Sequence, residues 1–171
     1  MKLGLLGAAA LLTLAACGDS PAGRNMSAEE VAGELASIKI EPGQWEATNE
    51  ILSVEAPGMP EGALAGMIGK KTTTRNCVTP EQAAKPDANF LAAQQDSNCS
   101  YRDFSMDGGK MTGTMTCQGG QTPGKMVMTM AGDYGPTSYD MTMDMKTSEL
   151  PGGMSMTVKA RTTGRRIGAC G

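Results

Sequence analysis

The side chains of this chain that could do chemistry are mostly sulfur-bearing, since its 171 residues include five cysteines, fifteen methionines and no histidine. The lack of histidine excludes Ser-His-Asp and Cys-His catalysis and histidine-ligated zinc. Apart from Cys17, the cysteines form an even set without CxxC spacing, which is typical of structural disulfides in an exported protein. This set comprises Cys77, Cys99, Cys117 and Cys170.

The pairing of these four cysteines follows from a turn signal at Asp107-Gly108-Gly109. Cys99 and Cys117 are equally distant in sequence from Gly108, so a hairpin folded symmetrically about that glycine places them opposite each other. Of the three connectivities that four cysteines allow, this one leaves Cys77 to pair with Cys170.

The methionines carry the clearest period in the chain, because those after residue 110 recur at spacings of two or four within each segment. Threonine, serine or aspartate stands between them, as in a strand that is buried on one side only. We expect these thioethers to form the core, since aromatic residues make up only 4% of the chain. The set is Met111, Met115, Met126, Met128, Met130, Met141, Met143, Met145, Met154 and Met156.

Six of these methionines also support a functional interpretation. Soft thioethers select Cu(I), and reachable methionines scavenge oxidants because their sulfoxidation is reversible. The sequence favours core packing and predicts no metal or other cofactor, but it leaves this alternative open for Met126, Met128, Met130, Met141, Met143 and Met145.

Two short helices accompany the strands. Ser27 and Glu30 have capping-box spacing before apolar residues at helical spacing, which predicts an amphipathic helix near 28–37 that docks on the domain. Thr79-Pro80 followed by an acid and an amide predicts a helix of one or two turns near 80–84.

The rest of the chain predicts an all-β fold of antiparallel strands. In the first predicted strand, Trp45, Ala47 and Ile51 lie on one side, opposite polar residues. We expect a twisted sheet that forms a small barrel, a half-barrel or a sandwich. Strands are predicted near 44–54, 70–78, 98–106, 110–118, 125–132, 137–146 and 154–163.

The N-terminus resembles a bacterial lipoprotein signal, with an apolar stretch from Leu3 to Leu14 and small residues before Cys17. We expect Cys17 to be acylated and to anchor the chain to a membrane. Because Gly18 rather than an aspartate follows this cysteine, we expect the outer membrane, with the protein facing the periplasm.

This interpretation divides the chain into three parts. Residues 1–16 form the signal peptide, residues 17–41 form a lipidated tether with the first helix, and residues 42–171 form the disulfide-stapled β domain. One core, rather than two domains, suits this length.

Four blocks of the β domain resemble the family of domains of unknown function numbered 3617. The resemblance covers about residues 42–171 and implies a small secreted or lipid-anchored envelope protein of proteobacteria, without an assigned activity, cofactor or catalytic residue. The blocks are Pro42-Gly43-Gln44-Trp45-Glu46, Arg75 to Gln82, the hairpin from Cys99 to Cys117, and Gly164 to Cys170.

Charge and motif content narrow the function further. The net charge of −3 and the lack of a Lys/Arg run disfavour nucleic acid. The segment 66–72 lacks the residues of a phosphate-binding loop, and Arg161, Arg165 and Arg166 near Lys159 are interpreted as a solvated strand face. Scattered carboxylates predict no acid-base pair, so we expect no enzyme. These residues are Asp103, Asp107, Asp133, Asp140 and Asp144.

The function expected from these observations is a non-catalytic binding or interaction module of the envelope. Its partners are predicted to be the membrane, through Cys17, and a hydrophobic ligand or an envelope protein. The alternative is a Met-rich copper-binding or oxidant-scavenging protein.

Overall fold

The computed structural model of the protein describes residues 25–60, 62–85, 98–118 and 124–171. The predicted signal peptide and Cys17 lie outside these residues, so signal cleavage and acylation remain predictions.

Both predicted helices are present and begin at capping boxes. Helix α1 spans Ala28–Ala36, where the Ser27 hydroxyl accepts a hydrogen bond from the Glu30 amide at 3.2 Å and the Glu30 carboxylate accepts one from the Ser27 amide at 2.8 Å. Helix α2 spans Pro80–Ala84 and has the same reciprocal cap between Thr79 and Gln82.

All seven predicted strands are present, and several extend beyond the predicted bounds. A two-residue strand at the N-terminal side was not predicted, because it has no period of its own. The strands are β1 (Asn25–Met26), β2 (Gly43–Glu55), β3 (Lys71–Val78), β4 (Asn98–Asp107), β5 (Lys110–Gln118), β6 (Lys125–Tyr134), β7 (Ser138–Leu150) and β8 (Met154–Gly168).

These strands form one antiparallel sheet in the order β1-β4-β5-β6-β7-β8-β2-β3. The run from β4 to β8 is a meander, and β2 returns to pair with β8 before β3 pairs with β2. Within the described residues β1 and β3 are the two edges and do not pair, so the sheet is open rather than a closed barrel or a two-sheet sandwich.

The two faces of the sheet differ as the alternation predicts. We name the face that α1 covers the inner face and the opposite one the outer face. One inner row crosses the sheet in register as Tyr101, Met115, Met128, Met145, Val158 and Val54. Met154 departs from the prediction that all the periodic methionines are core, since it starts β8 beside a turn and is 53% exposed.

The β4–β5 hairpin reaches the predicted cysteine pairing by a different geometry. The turn is the two-residue Gly108-Gly109 loop between the paired Asp107 and Lys110, so its centre lies between the glycines and not at Gly108. An unbroken ladder from this turn would place Cys99 opposite Gln118.

A bulge in β4 corrects this offset. Asp103 and Phe104 together oppose the single residue Gly113, and Asp103 has a positive φ of 53°. The bulge restores the register, so Cys99 pairs with Cys117 and forms the disulfide with it. It also turns Phe104 to the inner face, three residues after Tyr101, so that both rings are buried.

The second disulfide joins Cys77 and Cys170, whose Cα atoms lie 5.5 Å apart. It ties the edge strand β3 to the C-terminus. Both predicted bridges are therefore confirmed.

The inner face has two halves that differ in cover. In the closed half, formed by β4 to β7, α1 packs its Val31 and Leu35 into a buried cluster. In the open half, formed by β8, β2 and β3, the residues of β3 from Lys71 to Cys77 are all exposed. The other members of the buried cluster are Tyr101, Phe104, Met115, Cys117, Met130 and Met141.

Candidate apolar binding site

An aromatic pair lies where the open half of the inner face meets β7 of the closed half. Trp45 on β2 and Tyr139 on β7 stack with ring centroids 6.2 Å apart and an interplanar angle of 17°. The Trp45 indole donates a hydrogen bond to the Glu41 carbonyl at 3.0 Å, which fixes the ring. Gly164 on β8 lies between the two strands, and its missing Cβ leaves the space that the Tyr139 ring occupies.

A small apolar cavity opens beside this pair, and we name it the aromatic pocket. Its volume is about 120 Å³. Apart from Asn76, the residues around it present apolar surface. The lining residues are Ile40, Trp45, Ala47, Asn76, Val78 and Tyr139.

Polar groups lie at the rim of the aromatic pocket. Asn76 is an exposed residue of the edge strand β3, so the pocket opens at the free side of the sheet. Arg166 is opposite Trp45 in the β2–β8 ladder. Its guanidinium donates to the Pro42 carbonyl at 2.8 Å and lies 3.8 Å from the Glu41 carboxylate. The amide of Asn76 therefore lines the apolar recess, whereas the Arg166 cation is paired with Glu41 and is not part of the lining.

Farther along the inner face, a polar pair separates the aromatic pocket from the apolar rows. The Asn49 amide donates to the Thr162 hydroxyl at 2.8 Å across β2 and β8. Beyond it, the row Met143, Ala160 and Ile51 crosses three strands in register, and only Ala160 is fully buried. The recess at Trp45 is thus a bounded site at one end of β2.

The outer face carries paired charges. Glu46 accepts hydrogen bonds from both Arg75 and Arg165 at 2.7 Å, and these two bonds hold the pKa of its carboxyl below the usual value. Arg161 likewise lowers the pKa of Asp140 by hydrogen bonding to its carboxylate. These groups neutralise one another on strand surfaces, and none of them lines the aromatic pocket.

Two further cavities lie where the β4–β5 turn approaches the β6–β7 turn. They measure about 230 and 430 Å³ and share Gly108, Gly109, Tyr134 and Gly135 in their linings. Among the described residues the buried Tyr134 hydroxyl has no hydrogen-bond partner, and burial raises its pKa to about 12. These cavities are broader and more polar than the aromatic pocket.

The structure places the six candidate thioether ligands on the inner face of β6 and β7. Met128 is opposite Met145, and Met130 is opposite Met143. Met130 and Met141 are buried in the cluster under α1, whereas Met126, Met128, Met143 and Met145 are half-buried.

The predicted basic cluster near the C-terminus does not form one surface. Strand alternation puts Arg161 and Arg165 on the outer face with Asp140 and Glu46, and puts Arg166 on the inner face beside Trp45. Lys159 pairs with an aspartate at 3.6 Å on the outer face. These three cations lie on the solvated outer face as predicted, whereas Arg166 lies on the other face of the sheet with its side chain 31% exposed.

The sequence analysis missed the aromatic pocket as a unit. Alternation put Trp45 and Ala47 on one side of their strand, but the contact with Tyr139 depends on two strand pairings that bring β7, β8 and β2 together. The glycine at position 164 was the available signal, because a glycine inside a strand marks a close approach.

Comparison with known proteins gives one match. A family model described as "Protein of unknown function (DUF3617)" matches residues 40–170. No curated protein and no solved structure matches the chain. In the part of the chain that the structure describes, histidine, cysteine, aspartate and glutamate form no group of three suited to a metal ion. No helix in those residues has the length and hydropathy to cross a membrane.

Proposed function

The chain belongs to the DUF3617 family, a family of unknown function, and from this premise we propose that it is a non-catalytic, lipid-anchored envelope protein that binds an apolar ligand in the aromatic pocket. One observation carries the proposal. A recess of about 120 Å³ between a fixed tryptophan and a stacked tyrosine opens beside an exposed edge strand. Pre-formed apolar recesses with a few polar groups at the rim are typical of ligand sites.

The chemistry near the pocket favours binding over catalysis. The carboxylates of Glu46 and Asp140 point away from it on the outer face and are paired with arginines. Cys77, the cysteine nearest in sequence to the pocket residue Asn76, is held in a disulfide. The chain has no histidine to act as a base.

The volume indicates the size of the group that binds. An apolar cavity of about 150 Å³ is known to accept benzene, so the aromatic pocket fits one ring or the end of an acyl chain. We favour the acyl chain, because the Asn76 amide in the lining can donate a hydrogen bond to the polar head of an amphiphile.

Native mass spectrometry of the protein, extracted gently from its own membrane, tests ligand binding. An organic mass that is lost on denaturation supports the proposal. Ala47→Phe fills the recess and should remove this mass, whereas the control Thr48→Phe, one residue away on the outer face, should retain it. A protein that carries no organic mass, or a mass that survives Ala47→Phe, would contradict binding in this pocket.

The membrane anchor is tested separately. Cys17→Ala should abolish labelling by radioactive palmitate and release the protein from the outer-membrane fraction to the periplasm. Acyl label on the variant would contradict the assignment of Cys17 as the acylated residue. Localisation of the unaltered protein to the inner membrane would contradict the predicted outer-membrane localisation.

The methionine register supports copper binding as a second candidate function. Directly opposed residues on one strand face have Cβ atoms about 5 Å apart, so Met128 and Met145 present neighbouring thioethers, as do Met130 and Met143. Anaerobic titration with Cu(I) should then give a stoichiometric complex that Met128→Leu with Met145→Leu abolishes. The same complex in that double variant, or the lack of any complex, would overturn this candidate.

A further inference from the structure

The connection between β2 and β3 exposes an unusual amount of apolar surface. We name residues 56–69 the apolar loop. Met59, Met67 and Ile68 are 47%, 39% and 50% exposed. By sequence, Glu61 is the one ionisable residue of this loop, and it lies outside the described residues. Large apolar side chains grouped at this exposure mark a contact surface.

The apolar loop is held in shape by its own backbone. The amides of Met59, Ala65 and Met67 donate to carbonyls three residues earlier, at 3.1, 3.0 and 3.0 Å. The Gly69 amide closes the loop on the Ile51 carbonyl at 2.7 Å. The apolar side chains are therefore held outward by an ordered frame.

The other described residues at this end of the sheet extend the same surface. Glu55 at the end of β2 is opposite Thr157, so the apolar loop lies near the start of β8. There Met154 is 53% exposed, and Leu52 on β2 is 38% exposed. Among the described residues, Ile167 is the one exposed large hydrophobic residue at the opposite end of the β2–β8 ladder, which is about 36 Å long from Glu55 to Gln44 at the rise of a strand.

We infer that the apolar loop rests on a lipid surface and orients the anchored domain on its membrane. The inference depends on the proposed acylation of Cys17. The chain from Cys17 to Asn25 spans at most about 28 Å when fully extended. This short tether keeps the domain beside the bilayer, so even a weak contact made by the loop is populated at high effective concentration.

The composition of the loop suits lipid better than a protein partner. Its exposed side chains are aliphatic or thioether, and its sequence contains no tryptophan, tyrosine or arginine, the residues that dominate protein interfaces. Lys70 is exposed at its base, where it can approach anionic headgroups, and the neighbouring Lys71 is exposed but paired with Glu50 at 3.3 Å. A contact of this kind reaches about 5–10 Å into the boundary between headgroups and acyl chains.

Fluorescence quenching in vesicles tests this contact with the full mature acylated protein. The vesicles contain phosphatidylethanolamine and phosphatidylglycerol with brominated acyl chains. Trp45→Phe removes the one natural tryptophan, and either Met59→Trp or, as a matched control, Ile167→Trp supplies a single reporter at an exposed apolar position. Relative to the same vesicles without bromine, we expect at least a twofold loss of tryptophan emission for Met59→Trp and little change for Ile167→Trp.

The two proposals fail in different ways. Vesicle flotation of the same samples reports the anchor, so a protein that does not float with the vesicles overturns both the acylation of Cys17 and the contact that depends on it. A protein that floats, but whose emission is quenched equally by brominated lipid in Met59→Trp and in Ile167→Trp, overturns the loop contact alone.

Discussion

The closed and open halves of the inner face have the same strand alternation but differ in how far their apolar side chains are buried. In the closed half α1 covers the methionines, and Val31 and Leu35 are 0% and 4% exposed. In the open half β3 lies exposed at the edge, and the buried apolar side chains are Trp45, Val54 and Ala160. Burial is thus concentrated in the closed half, whereas the open half borders the candidate site.

Each half also contains a strand glycine that admits an aromatic ring. A Cβ added to Gly113 in the closed half would lie 2.7 Å from the Phe104 ring, and one added to Gly164 in the open half would collide with the Tyr139 ring. The two glycines have the same local role. Their rings differ in burial, since Phe104 is a buried member of the cluster, whereas Tyr139 is half-buried at the edge of that cluster and also lines the aromatic pocket.

The largest effect is expected from a charge in the closed half. Met130→Asp places a carboxylate at a position that is 4% exposed among apolar side chains, and should cost more than about 4 kcal/mol, enough to abolish the cooperative urea transition. Thr112→Asp, on the outer face of β5 opposite Ala131 and Ser105, should change the free energy of unfolding by no more than about 0.5 kcal/mol. A folded Met130→Asp variant would show that the cluster under α1 is not the stabilising core.

Removing each disulfide in turn compares how much the two bridges stabilise the fold by restricting the unfolded chain. The bridge in the open half joins residues 93 apart and the bridge in the closed half joins residues 18 apart. Loop entropy predicts a loss of about 4.5 kcal/mol for Cys77→Ala with Cys170→Ala, and about 3 kcal/mol for Cys99→Ala with Cys117→Ala. Urea denaturation measures both. If the closed-half pair costs more, then burial of Cys117 outweighs loop length.

The two glycines give a matched pair of smaller effects. Gly113→Ala should lower the free energy of unfolding by about 1–3 kcal/mol, because Phe104 must move within a packed cluster. Gly164→Ala should displace Tyr139 from Trp45 and change the tryptophan emission and ligand affinity. Equal effects of the two variants on ligand affinity would remove the functional distinction between the halves.

The smallest effect concerns pH and acts on the outer face of β2, β3 and β8, behind the open half. Two arginines hold the folded-state pKa of Glu46 below 4.5, so ionised Glu46 stabilises the fold above its unfolded pKa and this contribution is lost as the pH falls through the folded pKa. The melting temperature should therefore fall on acidification below about pH 4.5, and Glu46→Gln should flatten this dependence. An unchanged slope would show that the pairing contributes nothing measurable.

Local signals predicted the elements well. The capping box of Ser27 and Glu30 and the alternation of methionines depend on neighbouring residues alone, and both are confirmed. In the β4–β5 hairpin, local signals did not predict the position of the turn or the bulge. The pairing of Cys99 with Cys117 was predicted from a turn centred on Gly108, but it arises from a shifted turn and a bulge at Asp103 that compensate each other.

The candidate site depends on non-local register. Trp45 and Tyr139 belong to strands that are far apart in sequence, and β8 lies between them in the sheet. Which residues line the recess is decided by how β2 returns to β8, and the order of the strands along the chain does not specify that return. A period within one strand contains no information about its partner.

The most direct test of a ligand site in the open half uses Trp45, the one tryptophan in the chain, as a reporter of the aromatic pocket. Dibrominated stearic acid is titrated into the protein while the tryptophan emission is measured. We predict saturable quenching that unbrominated stearic acid reverses by competition and that Ala47→Phe abolishes. Emission that stays constant, or that falls linearly without saturation and equally in Ala47→Phe, would contradict an apolar ligand site in this half of the sheet.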